Sequence, residues 1–186
     1  MTNSASRNDS LRKRLFPEAG LISYAVLDGA AIANLPVLLS RFGVEHVCLY
    51  RGELAPDLAA VAPYLVRLQA AAPFTDLVLK AWGQHQGIFA LAEAADIRVL
   101  RKHFRQFLMV RGPDAKLLYF RYYDPRVLRA YLPHCNRQEI GYVFGPVRYY
   151  LCEDEDPAFL LQFAAGEQLR TERIALRINQ SRENPT

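Results

Sequence analysis

The chain has 186 residues, of which 51% are hydrophobic and 23% charged, with a net charge of +4. This length suits one domain, and the composition supports a core without disulfide staples. No apolar run reaches the length of a transmembrane helix, which excludes a helical membrane span, and no apolar leader with a small-residue cleavage site follows the polar start.

Charge is unevenly spread. Arginine outnumbers lysine 19 to 4, and residues 96–148 hold a local excess of +7. Arginine forks suit carboxylate or phosphate partners, although a GC-rich genome produces the same bias. The cysteines Cys48, Cys135 and Cys152 are odd in number and show no CxxC spacing. A reducing compartment, the cytoplasm, is therefore expected.

In chain order, the polar residues 1–20 read as a disordered segment. Residues 21–28 read as a buried strand, and residues 35–42 as a helix that Gly43 ends. A second strand is expected at 45–51, then a loop to residue 60 and a third strand at 62–68, with Pro63 at its start. Thr75 is expected to cap a helix that runs to Gly83 with Trp82 inward, followed by a strand at 87–92. This opening half predicts a sheet-based lobe, about 21–95.

A helix–hairpin–helix region, about 96–152, follows. Asp96 is placed to cap a helix through Leu108. Arg98, Arg101, Lys102 and Arg105 form one stripe on it, rotated about 120° from the apolar stripe at roughly 100° per residue. The turn at 112–116 joins two strands, with Leu118, Phe120 and Tyr122 on the expected core face. Asp124 and Pro125 then supply an N-cap and first helical residue. Asn136 and Glu139 resemble a capping box, and the short helix after them ends at Gly145-Pro146. Residues 147–152 alternate as a strand with Val147, Tyr149 and Leu151 together. The run Glu153-Asp154-Glu155-Asp156 reads as a solvated loop, residues 153–186 as an acidic segment and tail, and the last eight as frayed. The fold class is therefore mixed α/β (α+β), with an N-terminal sheet-based lobe and a more helical C-terminal lobe.

The search for chemistry returns little. His46, His85, His103 and His134 lack metal-ligand spacing, and the chain contains neither a nucleophile elbow nor a phosphate loop. No cofactor or metal is expected. Arg121 with Asp124 is more economically a helix cap than a catalytic pair. The basic stripe stays open between a solvated face, a site for an acidic protein, and a nucleic-acid surface with Phe104, Tyr119, Tyr122 and Tyr123 as stacking rings.

A series of short motifs adds a resemblance. It runs through Tyr24-Ala25-Val26-Leu27-Asp28, Leu49-Tyr50-Arg51-Gly52, Ala62-Pro63-Tyr64-Leu65-Val66, Trp82-Gly83 and Gly87-Ile88-Phe89. It continues through Leu100 to Phe107, Phe120-Arg121-Tyr122-Tyr123-Asp124-Pro125-Arg126-Val127-Leu128 and Phe144-Gly145-Pro146. In this order the chain, over about residues 22–152, resembles the bacterial type VI secretion effector-adaptor family, which includes Tap-like chaperones. The resemblance implies a cytoplasmic adaptor without catalysis that holds a toxic effector and helps load it onto the VgrG spike. It also implies a two-lobed α/β fold. The expected partners are a cognate effector protein and VgrG, with no membrane insertion and nucleic acid as the alternative. Arg98, Arg101, Lys102, Arg105, Arg121, Tyr123 and Arg126 are the expected contact residues. Tyr50, Gly52, Pro63, Trp82, Asp124, Pro125, Gly145 and Pro146 are the expected structural positions. One departure stands out: the family's hairpin turn often carries glycine where this chain has Ala115, and a positive φ is costly there.

Overall fold

A computed structural model describes residues 2–17, 20–93, 96–112 and 114–176. The first half runs α1 (Thr2–Leu15), β1 (Leu21–Asp28), α2 (Leu35–Phe42), β2 (His46–Cys48), α3 (Pro56–Val61), β3 (Pro63–Arg67), α4 (Pro73–Lys80) and β4 (Gly87–Glu93). Then come α5 (Ile97–Arg105), β5 (Met109–Arg111), β6 (Leu117–Tyr119), α6 (Pro125–Tyr131), α7 (Arg137–Phe144), β7 (Val147–Glu153), β8 (Phe159–Ala164) and β9 (Arg170–Ala175). The fold is mixed α+β. Seven strands form one sheet in the order β2-β3-β1-β4-β7-β8-β9, every pair antiparallel, while β5 and β6 form a separate hairpin.

The interior strand β1 explains the layering. Its apolar run has no polar face, and it is buried on both sides. Tyr24 and Val26 point into a core shared with Leu100 and Phe104 of α5, Leu128 of α6 and Ile140 of α7. Ala25 and Leu27 point into a second core with Leu11 and Leu15 of α1, Leu35 and Leu39 of α2, and Phe74 and Leu79 of α4. Each face of the sheet thus carries its own layer of helices. Among the described residues, no helix is long and apolar enough to cross a membrane.

Local signals place many ends. Gly43 takes φ 60° after α2, and its N–H reaches the Leu39 and Ser40 carbonyls. The Asp96 side chain accepts from the Arg98 N–H at the start of α5. Asn136 and Glu139 close a capping box on α7. Trp82, inward as expected, donates from Nε1 to the Pro157 carbonyl at 2.9 Å. Pro63 opens β3, and Gly145, at φ 43°, ends α7.

Several expectations are corrected. Residues 2–15 are helical rather than disordered, because Leu11 and Leu15, four apart, are fully buried against the sheet. Pro73 starts α4, so Thr75 lies inside that helix and donates to the Gln69 carbonyl instead of capping. The expected strand 45–51 pairs only over His46–Cys48, and the loop after it contains α3. In β7, a bulge at Arg148 puts Ala92 opposite Val147 and Leu91 opposite Tyr149. The extra residue sends Val147 to the same core as Tyr150, away from Tyr149 and Leu151. The acidic run is not wholly solvated: Glu153 is buried and accepts the Gly83 and His85 N–H groups at 2.8 and 3.0 Å. The C-terminal segment does not lie outside the domain, since β8 and β9 complete the sheet. The final residues, expected to fray, fall outside the described ones.

The docked first helix gives a direct test. Leu15→Ala is expected to cost about 2–5 kcal/mol in urea unfolding, as for other fully buried leucines; a disordered segment would leave the midpoint unchanged.

Candidate partner-binding face

The stretch from Arg121 to Arg126 joins the hairpin to α6 and fastens both to the sheet. Asp124 caps α6, its Oδ1 accepting the Arg126 N–H at 2.9 Å, and Arg126 closes a two-pronged pair on the same carboxylate at 3.0 and 2.7 Å. Burial alone would raise the Asp124 carboxyl, but its bonds to Arg126 outweigh burial and hold it below the ordinary value. Arg121 reaches across to Asp28, the last residue of β1. Asp28 is buried, and its other oxygen accepts the Ala30 N–H at 2.9 Å. The chain turns sharply here: a Cβ on Gly29 would stand 2.5 Å from the Ala62 carbonyl oxygen, so only glycine fits.

Tyr122 and Tyr123 are both buried. Tyr122 donates to the Phe104 carbonyl at 3.0 Å and stacks on the Phe104 ring. Burial first, then Tyr50 and Asp28 beside it, push the Tyr123 hydroxyl well above its ordinary range. Tyr123, expected at a partner contact, is therefore a core residue. Arg126 and Arg121 keep partly exposed side chains, but each already holds a carboxylate.

The basic stripe on α5 divides. Arg98 and Lys102 are exposed, whereas Arg101 and Arg105 are half-buried. Arg105 turns inward: its Nε donates to the Leu49 carbonyl at 2.9 Å, and its Nη2 donates to Cys48 at 3.2 Å and to Tyr50. It thus serves the carbonyls where β2 ends. Burial, then repulsion from Arg101 and Arg51, lowers its affinity for its proton. The stripe gains a fifth cation that the helical spacing did not show. Arg51, Arg98, Arg101, Lys102 and Arg105 surround one pocket of about 320 Å³. Among the described residues none of the five forms an ion pair, and the buried Arg101 Nε has no hydrogen-bond partner.

Beside this pocket lies an apolar groove of about 450 Å³, walled by Tyr50, Leu54, Leu58, Leu108, Met109 and Tyr119. Arg51 and Arg105 border both cavities. The hairpin forms the outer wall, and it differs from the sequence expectation. Leu118, expected on the core face with Phe120 and Tyr122, is 49% exposed, with Leu117 at 62% and Tyr119 at 69%, whereas Tyr122 is buried and Phe120 packs against the core. Half of the large exposed apolar residues among those described belong to this one hairpin. A two-stranded ribbon with apolar side chains in water on both faces is marginal alone. Ala115 takes φ 60° in its turn, so alanine here holds the left-handed conformation glycine would take without strain.

Fold and face together define an α+β domain that carries an uncovered, half-apolar and half-cationic surface on one edge. By sequence, the chain belongs to the family described as Domain of unknown function (DUF4123), whose model matches residues 23–142, more than half of the chain. No curated protein and no solved structure matches it. The matched residues include the Asp28–Arg121 joint and both cavities, while β7, β8 and β9 lie beyond them in the same sheet.

Removing Arg121 leaves Asp28 buried without its cation. Because the Arg121 side chain is half in water, Arg121→Ala is expected to cost about 1–3 kcal/mol, less than breaking a fully buried pair. Asp28→Asn placed in that background should recover part of the loss, and additive single and double variants in urea unfolding would contradict the coupling.

Proposed function

We propose that this protein is an effector adaptor of a type VI secretion system: it holds a cognate effector in the bacterial cytoplasm and helps load it onto the VgrG spike. The observation that carries the reading is the uncovered hairpin and groove, continuous with five cations that form no ion pair among the described residues, in a member of a family that the motif series likens to Tap-like chaperones. Apolar surface concentrated beside cations at the edge of a packed domain is the composition of a protein interface, where aromatic and arginine side chains anchor the contact. In this reading the sheet with α1, α2 and α4 is one lobe, and the α5–α7 region with its hairpin is the second.

The reading assigns the protein no catalytic step. The pair that first suggested one has structural tasks: Asp124 caps a helix and Arg121 neutralises Asp28. The nucleic-acid alternative is less well supported. It needs rings available for stacking, yet Phe104, Tyr122 and Tyr123 are buried and only Tyr119 of that set is exposed.

Co-expression with the neighbouring spike and effector proteins tests the proposal. Both are expected to co-purify with the chain, and failure to retain either overturns it. Arg98→Glu with Lys102→Glu, at exposed positions that hold nothing else, is expected to weaken one of the two complexes by about tenfold or more without changing the far-ultraviolet circular dichroism. Unchanged binding of both partners removes the α5 face from the account.

A further inference from the structure

The two cavities set conditions on what occupies them. The cationic pocket gathers five positive side chains with no acid paired to them among the described residues. Like charges held this close repel one another, and an anion entering the pocket relieves that repulsion. Arg105 has spent its Nε and Nη2 on the carbonyls of Cys48, Leu49 and Tyr50, so it fixes the floor of the pocket.

The groove asks for the opposite chemistry. Leu54, Leu58, Leu108 and Met109 present aliphatic surface, joined by Tyr50 and Tyr119, whose rings lie 5.9 Å apart. Arg51 and Arg105 stand on the border, so one occupant can fill the groove and reach the cations. A nucleic-acid strand would find the charge but not a stack of rings, and a free anion would leave the apolar wall in water.

We infer that this composite site binds a segment of a partner protein in which apolar side chains are followed directly by several carboxylates. The apolar part lies in the groove against the hairpin, and the acidic part enters the pocket formed by Arg51, Arg98, Arg101, Lys102 and Arg105. Burial of the apolar part supplies affinity, and the carboxylates supply direction, since reversing the segment would put its acids against Leu58 and Met109. The inference rests on the adaptor reading only in taking the occupant to belong to a protein cargo. It names the chemistry by which that cargo is recognised.

Fluorescence anisotropy of the full-length chain with a fluorescein-labelled peptide tests it. The peptide carries a leucine- and phenylalanine-rich half followed by a run of glutamates. Two controls replace the glutamates with glutamines or reverse the order of the halves. The glutamate peptide is expected to bind, and both controls to bind at least about tenfold more weakly. Arg51→Glu with Arg101→Glu, and separately Leu58→Asp, are expected to cause losses of similar size with circular dichroism unchanged. No binding of the glutamate peptide, equal binding of the glutamine peptide, or tighter binding of oligothymidylate overturns the inference. So does self-association of the chain that the peptide does not displace. The two readings fail separately. Effector and spike retained by the Arg51→Glu, Arg101→Glu variant overturns this site and leaves the adaptor function standing. Peptide binding by a chain that retains neither partner overturns the adaptor function and leaves the site standing.

Discussion

Asp28 is the point on which the arrangement depends. It ends the interior strand β1, is buried, and faces a segment more than ninety residues later in the chain, from which Arg121 supplies its cation. A carboxylate taken out of water demands such a partner, because burying it unpaired is destabilising. The pair therefore fixes where the chain must pass as it leaves the hairpin and enters α6. Asp124 and Pro125 then start that helix at once, so the hairpin is held to the sheet at its base while its tip stands in water. The apolar groove exists because of this placement: one wall is the loop after β2, which Arg105 holds by its carbonyls, and the other is the hairpin that Arg121 anchors.

The sheet supplies the rigidity that such a joint requires. β1 is buried on both faces and hydrogen-bonded to β3 and β4 on its two edges, so Asp28 has little freedom to follow a moving partner. Both helix layers are pinned to the same strand, with α1, α2 and α4 on one face and α5, α6 and α7 on the other. The uncovered surface is thus carried by a firm support. That economy matters in binding, since a preorganised face loses less conformational entropy when its partner arrives.

What could be read from residues alone follows from the range of the forces involved. The bounds of β1 and α2 were legible because a continuous apolar run and a glycine stop are local signals, and the caps at Asp96, Asp124 and Asn136 act within a single turn. Arg105 was legible as a cation on a helical stripe but not as a donor to Cys48, Leu49 and Tyr50, because nothing on the helix says which carbonyls stand beside it. Arg51 belonged to the same pocket and was missed for the same reason; its helical neighbours are distant in sequence. In α1 the two leucines four apart were a visible but faint sign inside a polar stretch. The alternation in β7 misled because one bulged residue, Arg148, exchanges the faces. The hairpin alternation holds at Tyr122, which is buried, and at Phe120, which packs against the same core, but it fails at Leu118, which lies nearer the turn and stands in water.

The central claim is that the hairpin, the loop after β2 and α5 form one protein-binding face. Amide hydrogen exchange, measured on the chain alone and with the proposed effector partner, tests this. Added protection is expected over residues 49–58 and 98–119, with the sheet edge at β9 unchanged. Protection confined to α1 or β9, with residues 49–58 and 98–119 exchanging as in the free chain, would contradict it.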